Sequence, residues 1–221
     1  IYDKEKRKQL LNDLKSLTAL SNPDPRGGLA IPCDFLVNFH GGFLDEGTVK
    51  VVLEFMDKGT LRDLIKKKMS VSEQVLCVIA IQILNGLAYL HTVSRQAHLD
   101  IKPENILINS TGYVKLSDFG ISKGFDESQH FMKTFIGTMN YMSPERIMST
   151  RYNQSSDIWS FGLTILEVFT GEFPLTSSKS FIEIFQYFKN TDNYEPNFAS
   201  KDCSDAFKDF IRSTLRKDPR K

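Results

Sequence analysis

The chain has 221 residues, 28 Lys plus Arg against 27 Asp plus Glu, and a formal net charge of +1. At roughly 150 residues per domain this is one large domain or two small ones, long enough to bury a sizeable core. The near-neutral balance removes the bulk-charge case for a nucleic-acid or polybasic membrane protein, and 41% hydrophobic with 25% charged residues argues against disorder.

Leu10, Leu11, Leu14 and Leu17 recur at helical spacing with charges opposite, so the first segment reads as an amphipathic helix, broken by the Pro- and Gly-rich stretch 22–28. Cys33, Cys77 and Cys203 form no C-x-x-C pair, so neither a zinc site nor a disulfide framework is expected, and each reads as a small core hydrophobe in a reducing compartment. Phe35 to Phe39 and Val49 to Phe55, joined through Gly41-Gly42 and Asp45-Glu46-Gly47, predict a β-hairpin. Ser70 and Glu73 suggest a capping box ahead of a long helix over Ser72 to His91. The apolar run Val75 to Ile81 is too short to span a bilayer, and Ile1 to Lys8 carry no signal-peptide core. A soluble, cytoplasmic protein is expected, with no nucleic acid and no membrane as partner. The missing N-terminal Met points to a fragment or a processed chain.

Short β-branched pieces come next at Asn105 to Ile108 and Tyr113 to Leu116, around an Asn-Ser-Thr-Gly turn at 109–112. A polar stretch runs from about 121 to 140, and from Asp157 onward the pattern is helical, with breaks at Gly171 to Pro174 and near Pro196. The outline is a small mixed piece before a larger, mostly helical one, meeting near Met56 to Thr60.

Residues 98–105 read His-Leu-Asp-Ile-Lys-Pro-Glu-Asn, followed by Asp118-Phe119-Gly120, Ser143-Pro144-Glu145 and Asp157-Ile158-Trp159-Ser160-Phe161-Gly162. In this order the four resemble the eukaryotic protein kinase signature H-R-D-x-x-x-x-N, D-F-G, A-P-E and D-x-W-S-x-G. The resemblance implies an α+β, bilobal fold in which 1–221 is one kinase domain: a partial β-rich small lobe over 1–55, a hinge at 56–60, and a mainly helical large lobe over 61–221 lacking its last helix. It implies ATP and Mg²⁺ as cofactors.

By that resemblance, Asp100 orients the substrate hydroxyl and accepts its proton. Lys102 reaches the transferring phosphate, and Asn105 and Asp118 offer hard oxygen ligands suited to Mg²⁺. His98 is expected to be structural, beneath the Asp-Phe-Gly segment, and Asp157 to hold the catalytic-loop backbone. Leu53 stands at the gatekeeper position. The Glu54 carbonyl and Met56 N–H face adenine, Thr60 or Asp63 lies near the ribose, and Leu107 floors the purine pocket. Glu145 resembles a Glu whose Arg partner falls just past Lys221. Asp13 aligns with the helical Glu that pairs with a strand lysine. That lysine strand and a glycine-rich loop have no counterpart before the first helix, so this stretch by itself is expected to transfer little phosphate. Leu99 replaces the usual Arg, so any loop phosphate must find another cation, such as Lys123 or Lys133.

The run 135–146, Phe-Ile-Gly-Thr-Met-Asn-Tyr-Met-Ser-Pro-Glu-Arg, is similar to the mitogen-activated protein kinase kinases. The similarity implies a dual-specificity kinase that acts on a mitogen-activated protein kinase and is itself switched on by an upstream kinase. It places Thr138 in the substrate-positioning loop near Asp100 and Lys102, and resembles plant-type members in pairing Ser128 with Thr134 as activation sites. Two other readings compete. A catalytically inactive scaffold of the same fold fits the missing front and Leu99 but not the retained Asp100, Asn105 and Asp118. A small-molecule phosphotransferase lacks the Ser-Pro-Glu and Asp-x-Trp features.

Overall fold

The computed structural model describes residues 33–45, 48–118, 140–148, 150, 153–175, 181–191, 194–199 and 201–218. Strands β1 (Phe39–Asp45) and β2 (Thr48–Leu53) form the expected hairpin. Its first arm lies further along than predicted. Gly41 and Gly42 sit inside β1 beside a register shift between Phe39 and Gly41, and the reversal falls between Asp45 and Thr48. Glycines in a strand often mark such a bulge rather than a turn. The displaced residues have another partner: the Val37 N–H donates to the Leu116 carbonyl (2.9 Å), and the Leu116 N–H to the Phe35 carbonyl (2.9 Å).

Helix α1 (Leu61–Lys66) carries apolar residues at helical spacing, Leu61, Leu64 and Ile65, but over too short a run to be expected from sequence. Its start is a capping box at Thr60 and Asp63, where each side chain meets the other residue's N–H. No such box forms at Ser70 and Glu73. Helix α2 (Glu73–Thr92) is capped instead by Ser72, whose hydroxyl accepts from the Val75 N–H. By length and mean hydropathy α2 could cross a membrane, unlike the short run seen in sequence. Its Leu76, Ile79, Ile83, Leu87 and Leu90 face is nonetheless built into the core.

A 3-10 turn at Pro103–Asn105 leads into β3 (Ile106–Ile108), paired antiparallel with β4 (Val114–Leu116). Helices α3 (Pro144–Ile147), α4 (Ser155–Thr170), α5 (Phe181–Asn190) and α6 (Asp205–Thr214) complete the described elements. The α+β architecture agrees with the expectation.

Helix α4 is the centre of the core. From Ser156 to Phe169 all but Ile158 are buried, the pattern of a helix enclosed on all sides. Trp159 meets Phe188 of α5 edge-on at 5.4 Å, and Phe169 meets Phe207 of α6 at 4.9 Å. Gly162 permits the closest approach: a Cβ there would lie 2.1 Å from Thr214 Oγ1 and 2.9 Å from Leu215. Gly162→Ala is therefore expected to destabilise the fold by about 1–3 kcal/mol through overpacking. Urea unfolding reads this directly, and an unchanged midpoint would show that α4 and α6 are not so closely apposed.

Candidate functional site

The site is built outward from one carboxylate. Asp157, in the first turn of α4, is fully buried. Its Oδ2 accepts the His98 N–H at 2.8 Å and its Oδ1 the Leu99 N–H at 2.7 Å, while His91 Nε2 of α2 lies 2.7 Å from Oδ2. His98 is itself buried, with Nε2 2.9 Å from the Ser117 carbonyl. It is a structural residue joining the loop to the end of β4. Leu99 adopts a φ of +63°, a left-handed conformation costing about 1–2 kcal/mol for a side chain of this kind. Arg146 Nη1 donates to its carbonyl at 2.7 Å.

Asp100 is the next residue. Lys102 Nζ reaches its two carboxylate oxygens at 3.0 and 2.9 Å, and Asn105 Nδ2 reaches its Oδ2 at 2.9 Å and its carbonyl at 2.8 Å. Asn105 thus uses both amide N–H groups on Asp100, which leaves Oδ1 as an acceptor. The Asn105 carbonyl in turn accepts the Ser117 N–H at 2.9 Å, which ties Asp118, exposed and at φ +60°, to the same loop. The Asn105 amide oxygen and the exposed Asp118 carboxylate are donors of the kind a hard cation takes when it shares its remaining positions with phosphate oxygens and water. Among the described residues no cluster of three or more His, Cys, Asp or Glu forms a metal cage.

The stretch after β2 lies over β3. The Lys58 N–H donates to the Ile108 carbonyl, the Ile108 N–H to the Gly59 carbonyl, and Thr60 bridges to Leu107. Met56 is buried, whereas Leu53 is 41% exposed. The Glu54 side chain accepts from the Asn38 N–H and Nδ2, both at 3.1 Å, and from Lys115 Nζ at 2.8 Å. Burial would raise the Glu54 carboxyl, but these hydrogen bonds outweigh it and hold it below the ordinary 4.5. Thr60 and Asp63 are committed to each other: Asp63 Oδ2 accepts from the Thr60 N–H and hydroxyl, both at 2.8 Å. Gly59 allows this, since at φ +77° a Cβ would fall 2.6 Å from that oxygen.

The protein kinase domain model matches residues 28–221. The chain belongs to the protein kinase domain family. It is similar to mitogen-activated protein kinase kinase 3 of Arabidopsis thaliana, 39% identical over 222 residues, covering 99% of this chain and 40% of that protein. It is also similar to mitogen-activated protein kinase kinase 1 of the same plant, 40% identical over 214 residues, covering 95% of this chain and 60% of that protein. Dual specificity mitogen-activated protein kinase kinase 1 of Dictyostelium discoideum is 43% identical over 172 residues, covering 78% of this chain and 24% of that protein. The chain thus spans from about a quarter to 60% of the length of these relatives.

Within this kinase domain, Asp100, Lys102 and Asn105 come together, Asp118 follows Ser117, whose N–H meets the Asn105 carbonyl, and Leu53, Glu54, Met56, Thr60 and Asp63 belong to the stretch that pairs with Leu107 and Ile108. Asp13, Ser128, Thr134 and Thr138 lie outside the described residues, as do Lys123, Lys133 and the Phe119-Gly120 pair. Glu145 has a partner within the kinase domain, the Ser156 hydroxyl, which donates to its Oε1 at 2.6 Å.

Sequence reasoning missed one cluster entirely. Arg62 of α1 donates from Nε to Glu104 at 2.7 Å, from Nη1 to Glu167 at 2.5 Å, and from Nη2 to the Tyr141 hydroxyl. Tyr141 donates to the other Glu167 oxygen at 2.5 Å. Burial would lower the Arg62 guanidinium, but its bonds to Glu167 and Glu104 hold it above the ordinary arginine value. Burial, then the Glu167 charge, push the Tyr141 hydroxyl well up. A sequence signal did exist: Glu167 is a lone carboxylate in the apolar run 165–169.

Removing Asp157 with Asp157→Ala leaves two loop N–H donors without their acceptor, and a loss of about 2–4 kcal/mol is expected in chemical unfolding. A loss below 1 kcal/mol, taken as roughly one ordinary hydrogen bond, would contradict the anchoring role. For Glu54 the folded carboxyl is the lower one, so its stabilisation is present above about pH 4.5 and is lost as pH falls through the folded value. Lys115→Met should flatten that acid loss in unfolding midpoints measured over roughly pH 3 to 7. An unaltered pH profile would separate Lys115 from Glu54.

Proposed function

We propose that this chain is the catalytic region of a protein kinase that moves the ATP γ-phosphate to protein hydroxyls. The observation that carries the reading is the hydrogen-bonded cluster of Asp100, Lys102 and Asn105 on a loop anchored to Asp157. Phosphoryl transfer asks mainly for positioning and charge neutralisation, and this cluster offers both. Asp100 orients the attacking hydroxyl and takes up its proton. Lys102, within reach of that carboxylate, swings to a phosphate oxygen once the nucleotide is in place. Asn105 Oδ1 and the Asp118 carboxylate would hold Mg²⁺, whose charge would offset that of the phosphates.

Adenine would meet main-chain groups at Glu54 and Met56, with Leu107 below it and Leu53 at the back. Thr60 and Asp63 lie beside the ribose only through the surface that their mutual cap leaves exposed. Residues 1–55, 56–60 and 61–221 would then be small lobe, hinge and large lobe.

The similar proteins are named mitogen-activated protein kinase kinases, one of them dual specificity. We extend that substrate class to the whole protein: a mitogen-activated protein kinase modified on Thr and Tyr, in the cytoplasm. An upstream kinase would act on Ser128 and Thr134, and Thr138 would help seat the substrate. The retained catalytic cluster speaks against an inactive scaffold.

The test uses the full-length protein with MgATP and a mitogen-activated protein kinase. Asp100→Asn should lower kcat by about 10²- to 10⁴-fold while nucleotide binding persists. Equal turnover by parent and variant, or no transfer by the parent after upstream activation, would overturn the reading.

A further inference from the structure

The Arg62 cluster lies outside the groups so far given roles, and it touches them. Glu104 sits inside the 3-10 turn between Lys102 and Asn105, where the Asn105 N–H donates to the Lys102 carbonyl at 3.0 Å. The turn is therefore gripped at the residue between the two side chains that reach Asp100. The grip comes from α1, and α1 is itself fixed to the strand beyond the turn. Its N-cap Thr60 bridges to Leu107, and Gly59 accepts from the Ile108 N–H at 2.9 Å.

The far side of the guanidinium explains why it stays put. Glu167 is 3% exposed in the last turn of α4, where an uncompensated carboxylate would be strongly destabilising. Arg62 and Tyr141 supply its hydrogen bonds. Glu104 is 45% exposed, so it needs no partner for solvation. The buried end thus fixes the guanidinium, and the exposed end transmits its position to the turn. Three elements converge on one planar fork: the turn, α4 and the segment before α3. A lysine offers one point charge and cannot hold three divergent acceptors in fixed directions.

We propose that Arg62 is a positioning residue for phosphoryl transfer: locked onto Glu167, its guanidinium holds Glu104 and so sets the turn that aims Lys102 and Asn105 at Asp100. The inference rests on the kinase reading above. It locates a determinant of turnover in α1, outside the signature residues, acting through Glu104 rather than on substrate.

The decisive variant is Glu104→Gln, because it weakens the charged contact at the exposed end and leaves the buried Arg62–Glu167 pair intact. In the full-length protein it should lower kcat about tenfold, with KM for ATP within about twofold and the unfolding midpoint unchanged. Amide exchange over residues 102–105 should accelerate by a similar factor, a readout that does not depend on activity. Arg62→Lys should lower kcat comparably. The double variant should lose no more than the larger single loss, since the Arg62–Glu104 contact is already broken in each single variant.

If the parent transfers no phosphate, the kinase reading fails, and the exchange measurement still decides whether Arg62 orders the turn. If the parent is active but Glu104→Gln turns over normally with unchanged exchange, the positioning role is wrong while the kinase reading stands. Additive losses in the double variant, or, in Glu104→Gln, a fall in kcat matched by a fall in unfolding midpoint, would equally overturn it.

Discussion

A carboxylate with no access to water must be met by donors from the protein, and Asp157 is such a group. Two of the donors it finds are main-chain N–H groups, on His98 and Leu99, so the chain before Asp100 has to come to the start of α4 and present its backbone there. An isolated carboxylate in this setting would be costly. That cost is what makes the placement specific, because a loop drawn away from α4 would strand the charge. Asp100 lies one residue beyond the anchored pair, and its position is inherited from a helix that the core encloses almost completely.

The same helix carries a second buried carboxylate ten residues on, which at 1.5 Å per residue is about 15 Å along the axis. Asp157 meets main-chain donors and imidazole, whereas Glu167 meets a guanidinium and a phenol. Between them α4 holds both ends of the loop over 98–104: residues 98–99 directly, and Glu104 through Arg62. Fold stability and site geometry are hard to separate here, because the groups that neutralise the core's buried charges are the groups that place the loop.

Motif order made the family legible, since Asp100, Asn105, Asp118 and Asp157 each stand at a spacing that chance does not readily reproduce. The scaffolding roles of His98 and Asp157 were legible too, and both are buried and hydrogen-bonded as that role requires. Periodicity was less informative where the chain departs from regular geometry. Gly41 and Gly42 read as a turn because glycine permits one, yet they lie within β1 beside a bulge, and Phe35 to Val37 pair with β4 instead. The capping box at Ser70 and Glu73 lost to Ser72, whose hydroxyl is the one that meets the Val75 N–H. Short α1 offers a single turn of apolar spacing, Leu61, Leu64 and Ile65, too little to mark a helix by itself, and its Thr60-x-x-Asp63 signature was assigned to ribose contact instead. Arg62 was invisible because its partners lie 42, 79 and 105 residues away; the lone Glu167 in its apolar run signalled a buried charge but not which cation would meet it.

Leu99 illustrates a property of anchors made from main-chain atoms. Asp157 holds its N–H and Arg146 holds its carbonyl, so neither contact asks anything of the side chain. The position is demanding in backbone shape and undemanding in side-chain identity. A loop fastened in this way separates its mechanical hold from whatever chemistry residue 99 contributes. The chain can place a plain apolar Leu at 99 and still hold Asp100 one residue beyond the anchored pair, so a change of side chain here leaves the fastening of the loop intact.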